Sequence, residues 1–308
     1  MPLLNLPRWS QRKSRTTPDG AILHNVPRSG ESLERRLLGA CSNPACRSGW
    51  LHVWRSSTVP VFEGGWLCSR ACTESRLDLA VRRELGGRNW EHREHRHRIP
   101  IGLVMLEQGW ITRHQLRQAL NAQRARGQGT IGHWLIQQKA ATDATVARAL
   151  ALQWSCPVMT ADPVEASALT TLLPRLFIDA FAALPLRLAS SRVLYLGFER
   201  QPDPVLAFGI EQITGLRVEN GIVPPSQFTS TQSRVLASAF PRVELIEAAH
   251  AGAAARAFAG AIERTQPCES RLTRIHDCLW LRMWHRPQSG PLAPLDAVTD
   301  LICSIGIS

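Results

Sequence analysis

Lysine is nearly missing from this chain of 308 residues. Of 36 basic residues only Lys13 and Lys139 are lysines, so the positive charge is carried by arginine. Long apolar runs are missing too. No stretch approaches the roughly 20 apolar residues of a membrane span, and Trp9 and Arg12 interrupt the run that a signal peptide requires. The expected compartment is therefore the cytoplasm. Eight cysteines are too few for a disulfide scaffold in a chain of this size. Chemistry-bearing motifs are absent as well, with no His-Glu-x-x-His, no nucleophile elbow and no carboxylate pair at useful spacing. His276-Asp277-Cys278 holds catalytic residue types, but adjacency on a predicted hairpin does not make a relay. These absences predict a protein that is not an enzyme.

What is present is a globular composition, 44% hydrophobic and 20% charged, with a net charge of +11. The charge is uneven. Residues 1–100 carry seventeen basic and nine acidic side chains, whereas 101–308 carry nineteen and sixteen. A basic balance suits nucleic acid, anionic lipid or phosphate-bearing ligands without choosing among them.

The pattern along the chain predicts an α+β protein in six parts. A Pro-, Ser- and Arg-rich arm covers 1–30. A zinc-binding module covers 31–87, with a short helix over 31–39 and a longer one from Thr73 to Leu85, capped by Thr73 and stopped by Gly86-Gly87. A charged linker with three histidines follows over 88–98. The stretch 99–155 is a tandem helical repeat. Beyond it, 156–240 reads as a small α/β-type subdomain. Its elements are a helical stretch over 164–183 broken at Pro174, a hairpin over 186–189 and 192–198, a helix near 204–213, a strand near 216–218 and a helix over 229–240. The C-terminal region, 241–308, reads as helix (243–265), hairpin about Asp277 (271–286) and a final helix near 295–305.

The repeat is the clearest feature. IGLVMLEQGWITRHQLRQALNAQ (101–123) aligns with IGHWLIQQKAATDATVARALALQ (131–153) at a constant offset of thirty residues. Gly102 matches Gly132, Leu106 matches Ile136, Thr112 matches Thr142 and Leu116 matches Val146; Leu120 and Gln123 match Leu150 and Gln153. Each copy predicts two short helices, the second capped by Thr112 or Thr142. Neither copy can bury its apolar side alone, so the two are expected to pack together.

Cys41-x4-Cys46, a gap of 21 residues, and Cys68-x3-Cys72 supply two short ligand pairs. The first lies in a Ser-Asn-Pro-Ala turn and the second leads into a predicted helix, as in a treble-clef-like finger. Four soft ligands in this order suit a structural Zn²⁺ with no open position for water; unrelated buried thiols and disulfides are the other readings. Arg47, Arg55 and Arg70 with Trp50, Trp54 and Trp66 form a nucleic-acid surface, or else the tryptophans supply the core of a small zinc module with the arginines solvated around it.

The doubled unit resembles the N-terminal domain of type II secretion and type IV pilus assembly ATPases, the MshEN or GspE N-terminal domain. The family unit reads Arg-Leu-Gly-x2-Leu-x3-Gly, then Leu-x3-Leu-x2-Gln. Ile101, Gly102, Met105, Gly109, Leu116, Leu120 and Gln123 match it, as do Ile131, Gly132, Leu135, Val146, Leu150 and Gln153 in the second copy. Trp154-Ser-Cys-Pro157, Leu173-Pro174, Leu184-Pro185-Leu186 and Thr214-Gly215 extend the resemblance over roughly 99–240. It is expected without the ATPase domain, since neither lysine lies in a G-x-x-x-x-G-K-[ST] stretch.

Some members of that family bind cyclic di-GMP through the tandem units, so the resemblance implies that the matched residues line a ligand site. Helix N-termini suit phosphates. This chain departs from the pattern where it matters: the expected arginines are Pro100 and Thr130, and the second glycine is Lys139. Losing both guanidiniums removes charge-assisted contacts worth roughly 1.5–3 kcal/mol each. Arg98 and Arg126 are the nearest substitutes. The expectation is a regulatory or adaptor protein with a protein partner in a bacterial secretion, pilus or signalling system. A cyclic di-GMP receptor and a nucleic-acid-binding protein are the alternatives.

Overall fold

The computed structural model describes residues 41–47, 60–86, 98–288 and 290–305. The arm, the helix expected over 31–39, Trp50, Trp54, Arg55 and all but the end of the charged linker lie outside the described residues. The architecture is α+β.

The chain runs through a minimal hairpin, β1 (Val61–Phe62) and β2 (Gly65–Trp66), into α1 (Arg70–Gly86). Glu63 and Gly64 both have positive φ, 48° and 76°, the primed turn that suits a two-residue hairpin loop. Helix α1 begins before Thr73. Its cap is Ser69, whose Oγ accepts from the Cys72 N–H and whose carbonyl accepts from the Thr73 N–H.

The repeat folds as four helices: α2 (Ile101–Glu107), α3 (Arg113–Arg126), α4 (Ile131–Gln137) and α5 (Asp143–Trp154). Thr112 and Thr142 cap α3 and α5 as their sequence predicts, Thr112 in a capping box with Gln115. Met105, Ile111, Leu116, Ala119, Leu135, Val146 and Ala149 close one small core shared by both copies.

Next come α6 (Pro163–Ser167), α7 (Arg175–Ala180), β3 (Ala183–Ala189), β4 (Val193–Phe198), α8 (Pro204–Thr214), β5 (Arg217–Ile222) and α9 (Pro225–Leu236). The stretch 164–183 is thus two short helices and the start of a strand, not one broken helix. β3 begins three residues before the expected hairpin, and its register shifts at Pro185, where a bulge accommodates a residue with no ladder donor. Strand β5 returns parallel to β4. Helix α9 starts four residues early because Pro225 takes its first turn.

The C-terminal region departs most from expectation. It comprises β6 (Arg242–Ala248), α10 (Ala251–Thr265), β7 (Glu269–Ile275), β8 (Cys278–Trp284) and β9 (Val298–Ile305). The helix–hairpin–helix reading is therefore corrected at both ends. RVELIEA is a strand, with His250 capping the helix after it. The expected final helix is a 3-10 turn (Leu295–Ala297) followed by β9, an inner strand of a sheet ordered β6-β9-β8-β7. β9 is buried on both faces, so its apolar run carries no alternation to tell strand from helix. The hairpin about Asp277 forms as expected, Ile275 facing Cys278.

The two faces of this sheet serve different cores. Trp280, Trp284, Val298 and Ile302 join the core of the preceding subdomain, where Trp280 meets Phe177 edge-on at 5.4 Å. Leu279, Leu281, Met283, Leu301 and Cys303 pack beneath α10 together with Phe62, Leu67, Leu77, Ala80 and Val81 of the cysteine-bearing stretch.

Candidate metal centre and repeat groove

The two cysteine pairs, separated by the β1–β2 hairpin, meet at one point. Cys41 and Cys46 flank a turn held by the Asn43 side chain, which accepts from the Ala45 N–H at 3.0 Å, and by the Cys46 N–H bonded to the Asn43 carbonyl. Gly65 lets this turn approach the hairpin, because a Cβ there would lie 1.8 Å from Ser42 Oγ. Cys68 precedes α1 and Cys72 lies in its first turn. All four Sγ atoms lie within 4.8 Å of one another, with Cys46–Cys68 at 3.6 Å and Cys68–Cys72 at 3.4 Å. A tetrahedron with metal–sulfur bonds of about 2.3 Å has edges of about 3.8 Å, so the thiols fit one ion. They are not disulfide-bonded. Burial pushes the Cys41 thiol up to about 12 against the backbone hydrogen bonds of Asn43 and Cys68. A soft cation is the charge that would deprotonate such a group.

Within the repeat, the matched residues do structural work. Gly102 and Gly132 are the points where each first helix crosses its second. A Cβ at Gly102 would fall 2.6 Å from Leu116 Cδ1, and one at Gly132 2.9 Å from Val146 Cγ1. Met105, Leu116, Leu135 and Val146 are buried, while Ile101, Leu120, Ile131 and Leu150 flank the core half-buried. The first helix of each copy ends in a left-handed residue, Gly109 (φ 70°) and Lys139 (φ 56°), with the same backbone bonds closing the turn.

The glutamines form a reciprocal clamp. Gln123 Nε2 donates to the Gly129 carbonyl at 2.8 Å, and Gln153 Nε2 donates to the Ile99 carbonyl at 2.8 Å. Each copy thus ties down the entry to the other at positions thirty residues apart. Arg98 is also engaged: it lies over the Trp154 ring at 3.7 Å and donates to the Gln153 carbonyl at 2.7 Å.

Beside the second copy runs a groove of about 800 Å³, walled by the repeat on one side and by Arg200 and the first turns of α9 on the other. Of the sequence-predicted ligand residues only Arg126, Val146 and Leu150 line it, with Thr130 at the missing arginine's position. Trp134, His133 and Arg200 were not foreseen. Trp134 had a signal, since it stands where the first copy has Val104; Arg200 had none. Near the cysteines, Arg47 lies beside the cluster and Arg70 pairs with Glu263 at 3.1 Å.

The described residues thus define an α+β chain with a thiol cluster suited to a metal ion and a duplicated helical unit. No family model matches the chain, and no curated protein matches it. Among solved structures it is similar to a structure of MshE with cdg at 27% identity, with a TM-score of 0.33, over 45% of this chain and 99% of that one. It is also similar to the N-terminal domain of XpsE at 16% identity, with a TM-score of 0.31, over 44% of this chain and 92% of that one. The resemblance to N-terminal domains of secretion and pilus assembly ATPases rests on the repeat's own residues. No helix among the described residues is long and apolar enough to cross a membrane.

Proposed function

We propose that this chain is a non-enzymatic regulatory or adaptor protein, acting by protein contacts in a bacterial secretion, pilus or signalling system, with a structural zinc ion held by Cys41, Cys46, Cys68 and Cys72. The observation that carries the scaffold role is the reciprocal glutamine clamp. It turns the matched glutamines of both copies onto the repeat's own backbone, so that they brace a scaffold. A four-thiolate centre has no open position, which suits structure rather than hydrolysis. The test is a binding titration of the full, metal-loaded chain against the secretion and pilus ATPases of its host. Saturable binding to one of them is expected; none to any of them overturns the reading.

A second reading, a cyclic di-GMP receptor, draws on the groove beside the second copy, where Arg126, Trp134 and Arg200 offer charge and a stacking surface. Calorimetric titration separates the two. Saturable heat lost on Arg126→Ala supports the receptor, and no binding at about 100 μM ligand removes it.

A further inference from the structure

The thiol cluster does not close on a module of its own. Strand β1 runs along the outer edge of β7. The Val61 N–H donates to the Pro267 carbonyl at 3.3 Å and the Glu63 N–H to the Ser270 carbonyl at 2.8 Å. Ser270, fully buried, donates its hydroxyl to the Val61 carbonyl at 2.7 Å. At the hairpin turn, the Gly64 N–H donates to Glu269 Oε1 at 3.2 Å. A two-residue strand has little stability alone, so these bonds depend on whatever fixes the hairpin.

Helix α1 covers α10 in the same way. Leu77, Ala80 and Val81 are buried in one cluster with Ala254, Ala255, Phe258, Ala259 and Ile262 of α10. Small side chains let the two backbones come close. At its far end, α1 supplies Glu84, whose carboxylate accepts from the Arg274 N–H at 3.3 Å. Cys68 and Cys72, each 7% exposed, belong to this same cluster. The sulfur ligands are therefore joined through one helix and one hairpin to a sheet whose first strand begins at Arg242, far along the chain.

We infer that the metal centre is a clasp on the C-terminal sheet: bound metal holds β1 against the β7 edge and α1 against α10, and metal loss releases both and uncovers that edge and that helix face. This rests on reading the four cysteines as a metal site. The repeat, which has its own core and its own clamps, lies outside the clasped unit.

By linkage, coupling of this kind runs both ways: what loosens α1 from α10 must weaken metal binding by the same factor. The experiment takes the full chain reconstituted with Zn²⁺, with zinc content measured by elemental analysis. Hydrogen exchange is followed before and after chelation. Exchange at 251–265 and 269–275 is expected to rise about tenfold or more on zinc removal, with 101–154 unchanged. Unchanged exchange at α10 and β7 with the zinc gone overturns the clasp and leaves the metal site standing. A chain that takes up no zinc overturns the metal reading and the clasp together. Ala80→Asp leaves every cysteine in place but puts a charge between α1 and α10. It is expected to lower zinc affinity about tenfold or more against a chromophoric chelator; unchanged affinity would show a self-contained centre and end the proposal.

Discussion

The repeat and the C-terminal sheet are both too small to bury their apolar faces alone, and they meet that shortage differently. The repeat duplicates itself. Its partner surface is the same unit thirty residues on, and the two copies exchange equivalent glutamine bonds. The C-terminal sheet borrows. One face lies under α10 and α1, with β1 along the β7 edge, and the other face enters the core of the preceding subdomain. Duplication keeps contacts close in sequence, whereas borrowing makes stability depend on a few specific long-range ties.

The largest test of that contrast concerns the pair at the sheet's centre. Arg282 and Asp300, with side chains 2% and 0% exposed, make a bidentate bridge with both distances at 2.7 Å. Arg282 Nη1 also donates to the Thr171 and Leu172 carbonyls of the preceding subdomain, and Trp280 donates to Asp300. Asp300→Asn leaves a buried guanidinium without its counter-charge. It should cost about 3–5 kcal/mol in denaturant unfolding, while Arg282→Met with Asp300→Leu together should cost less than either alone. A loss under about 1 kcal/mol would mean the sheet is held by its local contacts after all.

The repeat should break at its crossings instead. Gly102→Ala drives a methyl into Leu116 and should cost about 1–3 kcal/mol. Gly132→Ala, with slightly more room against Val146, should cost less. Equal and negligible costs would show that the crossings are looser than the two copies' shared geometry requires. Lys139→Gly has the opposite sign. It relieves a left-handed φ of 56° at the position where the first copy has Gly109, and should stabilise by about 1 kcal/mol in thermal unfolding.

The same contrast explains what could be read from the sequence. The helices of the repeat, their threonine caps and the paired glycines were legible because each signal and its partner recur within thirty residues. The cysteine pairs were legible because ligand chemistry restricts the residue type. The C-terminal strands were not. Val243, Leu245 and Ile246 fit a helix as well as a strand until β9 is placed beside them, and β9 shows no alternation because both its faces are covered. Nothing near Arg282 foretold Asp300 as its partner, nor Thr171 as the carbonyl that it reaches. Likewise the groove is completed by Arg200 and α9, which no spacing within the repeat predicts.

The smallest expected effect probes the seam between the borrowed sheet and the subdomain that lends to it. At the β7–β8 turn His276 Nε2 lies 2.6 Å from Asp203 Oδ2, and its ring stacks on Phe181. Asp203 also caps α8, its other oxygen accepting from the Val205 and Leu206 N–H groups. The hydrogen bond to Asp203 holds the His276 proton above the usual 6.5, against partial burial and the nearby Arg274 and with help from Asp277. Burial opposes ionisation of Asp203, yet the bond from His276 and the cap bonds hold it below 3.8. The histidine's contribution is therefore complete below pH 6.5 and fades as pH rises through its raised value. The aspartate's is complete above pH 3.8 and fades as pH falls through its lowered one. Between those limits the seam should be tightest. With His276 44% exposed, solvent screening keeps the effect below about 1 kcal/mol. Thermal unfolding across this range should show a modest decline above pH 6.5 that His276→Gln flattens. An unchanged slope in the variant would place the seam's strength in Arg282 and the apolar face alone.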